Sequence, residues 1–124
     1  MLEEKYAPSL DAQVPARSAE VYIAAASAAS ANYTYTMSVH ERVVIVLGTN
    51  ATYTTTVVLP SVAEAKGGIY TIRLVTHGGQ DVTVADKNDD AALTNIALNS
   101  TGDAVCLYSD GHKWFQIGAI GTLG

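Results

Sequence analysis

From Asn32 to Val39 the chain alternates: Tyr33, Tyr35, Met37 and Val39 are separated by Thr34, Thr36 and Ser38. A period of two puts one set against a core and the other in solvent, so the segment predicts a β-strand. Glu41-Arg42 then leads into Val43 to Leu47, which is apolar at every position and ends at Gly48-Thr49-Asn50. Without alternation both faces of such a strand need cover, in a sandwich interior or under a subunit contact. Tyr53 to Leu59 makes a further strand, stopped by Pro60. In Ile69 to Val75 the alternation returns, with Ile69, Thr71, Arg73 and Val75 facing away from Tyr70, Ile72 and Leu74. His77-Gly78-Gly79-Gln80 turns the chain into Asp81 to Ala85, and Leu93 to Leu98 follows an acidic loop.

The clearest hairpin is the last one. Ala104 to Tyr108 and Lys113 to Gly118 flank an Asp110-Gly111 turn, where glycine accepts a positive φ without a Cβ clash. This hairpin holds the single Trp and the single Phe, Trp114 and Phe115, and both are expected to pack rather than to stack on a ligand. One helical turn is expected at Ser61 to Gly68, with Ser at the N-cap, Glu64 three residues on and Gly past the end. The alanine-rich run Ala24 to Ala31 has high helix propensity but no large apolar side chain to hold a face, and it reads as irregular or extended. About eight short strands at this spacing predict an all-β fold, a single antiparallel β-sandwich or jelly-roll-like domain. No repeat of solenoid type is evident.

Length fits this picture: 124 residues suffice for one domain with a core. Of the chain, 48% is hydrophobic and only 15% charged, so the surface is left to Thr, Ser, Asn and Gly. The formal charge is −5, with the few basic residues scattered, so no basic patch exists for phosphate and nucleic acid is not an expected partner. The longest apolar stretch, Val21 to Ala31, falls short of a membrane helix, and no apolar leader follows the acidic start; membrane is not an expected partner, and synthesis in the cytoplasm is expected. Cys106, the lone cysteine, reads as a small buried hydrophobe. The sequons at Asn32, Asn50 and Asn99 read as accidents of a threonine-rich composition.

Three parts are expected: residues 1–19 as an extended N-terminal arm, 20–118 as the β-domain and 119–124 as a flexible tail. Pro8 and Pro15 break the arm, and Leu2, Tyr6, Leu10 and Val14, spaced four apart, cannot bury themselves within it. With Arg17, these four are the candidate partner-contact residues.

Motifs for chemistry are sparse. His40, His77 and His112 fall in separate turns or strand ends and have no metal-ligand spacing. Asp86-Lys87-Asn88-Asp89-Asp90 opens like a calcium loop, but Ala91 stands where the sharp turn needs Gly and Ala97 where a bidentate Glu belongs. Ser109-Asp110-Gly111-His112 is too local for a catalytic triad and is explained as turn chemistry. No phosphate loop or dinucleotide fingerprint occurs. The expectation is a protein that is not an enzyme and takes no cofactor and no metal. A small hydrolase using His and Asp from separate loops is the minor alternative.

Two blocks carry a resemblance: Leu59-Pro60-Ser61 through Glu64-Ala65, Gly67, Tyr70 and Ile72, and Ser109-Asp110-Gly111 with Trp114, joined by Val82-Thr83-Val84. This pattern, within residues 57 to 118, resembles small β-modules of tailed-bacteriophage virion structural proteins, of capsid decoration (cement) or tail-fibre type. The resemblance implies a homotrimer that acts by binding. Being short and without a fibre or coiled-coil region, the chain is expected to be a free-standing decoration protein on the capsid surface. Its partners would be further copies of itself and the major capsid protein, with the arm stapling capsid subunits. The alternative is a receptor-binding knob of a tail fibre, recognising host glycans on exposed Tyr53, Tyr70 or Trp114.

Overall fold

A computed structural model of the chain describes residues 20–23 and 30–124. The arm and its candidate contacts Leu2, Tyr6, Leu10, Val14 and Arg17, and most of the alanine-rich run, lie outside the described residues. Among the described residues the fold is all-β apart from short turns. Nine strands form: β1 (Glu20–Ile23), β2 (Tyr33–Thr36), β3 (Val43–Val46), β4 (Thr55–Val58), β5 (Ile69–Leu74), β6 (Val82–Ala85), β7 (Ile96–Leu98), β8 (Ala104–Ser109) and β9 (Trp114–Ile120).

Pairing departs from the antiparallel expectation. The five-stranded sheet runs β1-β3-β5-β8-β9 and the four-stranded sheet β2-β4-β6-β7. Up to β6 the chain changes sheet at each step, and every strand lies parallel to the one two before it. Each rung is thus one strand from each sheet, stacked on the previous rung. Only then does the chain reverse, with β7 antiparallel to β6, β8 to β5 and β9 to β8. Both sheets are mixed. The winding is solenoid-like, although no repeat period of solenoid type is evident in the sequence. Connections of unequal length carry Glu20, Val43 and Thr71 to neighbouring places on adjacent strands, so no fixed period marks the rungs.

Stacked corners show how the rungs are held in register. Where β3 passes to β4 and β5 to β6, the Thr49 amide donates to the Thr76 carbonyl (3.2 Å) and the Gln80 amide to the Asn50 carbonyl (3.0 Å). Gly78 donates its amide to Thr49 Oγ1 at 2.7 Å, and a Cβ at this position would collide with the Thr49 carbonyl. That close approach explains the glycine. At the opposite corners the Met37 amide reaches the Val58 carbonyl and the Leu59 amide the Ala85 carbonyl, both at 2.8 Å.

The core lies between the sheets' inner faces. Val44, Val46, Tyr70, Ile72, Leu74, Val105 and Leu107 come from the five-stranded sheet, and Val57, Val82, Val84, Ile96 and Leu98 from the other. The expected division of Ile69 to Val75 is observed, since Tyr70, Ile72 and Leu74 are all fully buried. Trp114 joins this core, edge-on to Tyr70 with centroids 5.5 Å apart.

The helical turn after β4 forms, with the Ala65 amide bonded to the Ser61 carbonyl at 3.0 Å and Gly67 at φ +81°. Asp90 takes the Val62 amide at 3.0 Å. Residues 119–124 are not a separate tail. Ala119 and Ile120 belong to β9, Leu123 packs against the core, and Gly124 exchanges two 3.0 Å hydrogen bonds with Ala97 of β7.

Candidate interaction surface

Several groups able to do chemistry, among the described residues, hold the fold in place. Asp86 is buried, and its Oδ2 accepts from the amides of Ala91 (3.0 Å) and Leu93 (2.9 Å). Asp103, also buried, accepts from the Asn99 and Ser100 amides, both at 3.0 Å. These carboxylates hold loops in place of backbone partners. At the hairpin tip Ser109 Oγ donates to the Val62 carbonyl (2.6 Å) and accepts from the Gly111 amide (3.1 Å). Asp110 accepts from the His112 and Lys113 amides at 2.8 and 2.7 Å, and these hydrogen bonds hold its carboxyl below the ordinary Asp range. Asp110, His112 and Ser109 therefore act as turn chemistry, with Gly111 at φ +95°.

The histidines are dispersed. His40 sits in the turn after β2, His112 at the hairpin tip, and His77 pairs through Nε2 with Asp81 Oδ1 at 2.9 Å. Among the described residues no group of three His, Cys, Asp or Glu side chains is placed to hold a metal ion. On the four-stranded sheet, Tyr35 donates its hydroxyl to Glu41 Oε2 at 2.7 Å. Burial first, and that hydrogen bond second, push its phenol up to about 12. Burial also raises Tyr70, opposed by the Arg42 guanidinium 5.0 Å above its ring.

Among the described residues, the outer face of the five-stranded sheet has no such explanation. The register aligns Tyr22, Ile45, Arg73, Ala104 and Ile120 across all five strands. A second row is Glu20, Val43, Thr71, Cys106 and Gly118, and a third is Ile69, Tyr108 and Phe115. Tyr22 and Ile120 are both 59% exposed, Ile69 48% and Phe115 46%, and Ile117, at the irregularity in β9, is 54% exposed. Between the rows lies an open cavity of about 170 Å³, lined by Thr71, Cys106, Gly118 and Ile120 among others. Gly118 makes this notch, because it contributes no side chain between Cys106 and Ile120.

Several expectations are corrected on this surface. Cys106 is only half-buried and faces outward, with Sγ 3.3 Å from Thr71 Oγ1. Phe115 is exposed, since β9 presents Trp114 inward and the next residue outward. At β3 the core covers Val44 and Val46, while Val43 and Ile45 are half-buried on the outer face. The suggested aromatic platform is absent at its named positions, because Tyr70 and Trp114 are buried and Tyr53 is half-buried. Sequence reading missed Tyr22, Ile69 and Ile120 as surface residues. The signal available was the lack of alternation at β3, but only the strand order gathers these residues.

No family model, no curated protein and no solved structure matches this chain.

Proposed function

We propose that this chain is a structural protein of a virion, a capsid decoration protein that acts by association rather than turnover. The observation that supports this reading is the apolar outer face of the five-stranded sheet. Monomeric proteins rarely leave contiguous apolar patches beyond a few hundred Å² open to water, and larger ones mark contact sites. In this reading the β-domain assembles with its own kind on the virion surface, and Leu2, Tyr6, Leu10, Val14 and Arg17 of the arm engage the major capsid protein. Repeating a weak arm contact across an oligomer makes the attachment durable.

A glycan-binding knob is less well supported. The exposed aromatics Tyr22 and Phe115 lie on opposite edge strands, about 19 Å apart at ordinary strand spacing, too far to stack on one sugar.

The test is co-sedimentation of the purified full chain with capsids assembled from the major capsid protein of the same genome. Saturable binding is expected, weakened at least tenfold by Leu10→Asp. No co-sedimentation would remove the capsid reading. A change in Trp114 fluorescence on adding host surface glycans would favour the knob.

A further inference from the structure

We propose that the outer face of the five-stranded sheet docks on the same face of a second copy of this chain, forming a two-fold dimer. This rests on the reading of the chain as an association module and names the surface and the partner.

Area is the first argument. The exposed parts of Tyr22, Ile69, Phe115 and Ile120, with the half-buried side chains between them, amount to on the order of 600 Å², the low end of what one partner contributes to a specific interface. Charge is the second. The chain carries −5 overall, yet the three rows hold one acid, Glu20, and one base, Arg73. An electrically balanced face meets its own copy without net repulsion.

Strand β3 supplies a third, independent argument. Val43-Val44-Ile45-Val46 is apolar on both faces, and the core covers only Val44 and Val46. A strand of that composition is suited to cover on the side of Val43 and Ile45 as well. The notch at Gly118 fits the same partner. At about 170 Å³ it is smaller than the roughly 300 Å³ at which small-molecule pockets begin, and is of a size to take one apolar side chain.

A patch that binds its own copy face to face is isologous and closes as a dimer. The dimer therefore replaces the trimer implied by the resemblance. Cys106 lies inside the contact, so its alkylation reports coverage of the face.

The experiment is sedimentation equilibrium on the full chain across a hundredfold concentration range, with iodoacetamide modification of Cys106 followed over the same range. A dimer mass is expected at high concentration, with alkylation slowed at least fivefold there. Ile120→Asp should weaken dimerisation at least tenfold and restore Cys106 reactivity. Gly118→Ala serves as a second variant that should also weaken dimerisation, since an added Cβ there meets only Cys106 Cβ, at 3.8 Å, and reaches into the notch. Thr83→Asp, on the outer face of the other sheet, should change neither readout.

A monomer at every concentration overturns the proposal, whether Cys106 is reactive throughout or protected throughout; the latter means that another part of the chain covers the face. A trimer mass, or association that survives both face variants, also overturns it. Capsid co-sedimentation is scored separately. Capsid binding without dimerisation removes this inference alone, whereas dimerisation without capsid binding removes the capsid reading alone.

Discussion

The two sheets are alike inside and opposite outside. Inward, both present branched aliphatic side chains to one shared core. Outward, the four-stranded sheet aligns Thr34, Thr56, Thr83 and Ala97 across its strands, while the five-stranded sheet aligns Tyr22, Ile45, Arg73, Ala104 and Ile120. Threonine satisfies a β-strand's steric preference and still gives water a hydroxyl on the open side. The isoleucines of the other face satisfy the same preference and offer water no polar group. The fold needs only the inner faces, so the difference outside belongs to what each face meets.

The inner equivalence is open to the largest test. Leu98 of the four-stranded sheet and Leu107 of the five-stranded sheet are both fully buried. Leu98→Ala and Leu107→Ala should each lower the unfolding free energy by about 2–5 kcal/mol in urea denaturation. If only one did so, the sheets would not share one cooperative core.

A smaller effect distinguishes the inner faces themselves. Thr55 is fully buried on the four-stranded sheet, and among the described residues its hydroxyl has no hydrogen-bond partner. Its inner-face neighbour across β6 is Val82. Thr55→Val should raise stability by about 1 kcal/mol, since an unpaired buried hydroxyl costs its desolvation. A loss of stability instead would mean that the hydroxyl is bonded.

A further effect concerns pH. Tyr35 ionises near 10 when unfolded and is pushed up to about 12 in the fold. Between those values the unfolded chain loses the proton that the folded chain keeps. The Tyr35 contribution is therefore fully present below pH 10 and lost as pH rises towards 12. Thermal melts across that window should show a shallower decline in Tyr35→Phe than in the wild type. An unchanged slope would assign the decline to other groups, Tyr70 among them.

Much of the strand content was legible along the chain. The alternation at Tyr33 to Thr36 and at Ile69 to Leu74, and the Asp110-Gly111 turn, are local signals from side-chain period and backbone sterics. Turn roles for Ser109 and Asp110 were legible for the same reason. The surface was not. Phe115 and Trp114 are neighbours in sequence, and which one turns inward depends on register against β8. Cys106 sits in an apolar strand, but its outward direction follows from pairing with Thr71 and Gly118.

By itself, then, the sequence determined that this chain builds strands, where most of them lie and which side chains share a face, because period and turn chemistry act over a few residues. Tertiary structure alone decided that β1, β3 and β5 run parallel, that the chain winds between two sheets before reversing, and that Tyr22, Ile45, Cys106 and Ile120 meet on one surface. Strand pairing is a long-range choice, settled by which stacking of rungs buries both inner faces at once and satisfies the corner hydrogen bonds. No period along the chain records it.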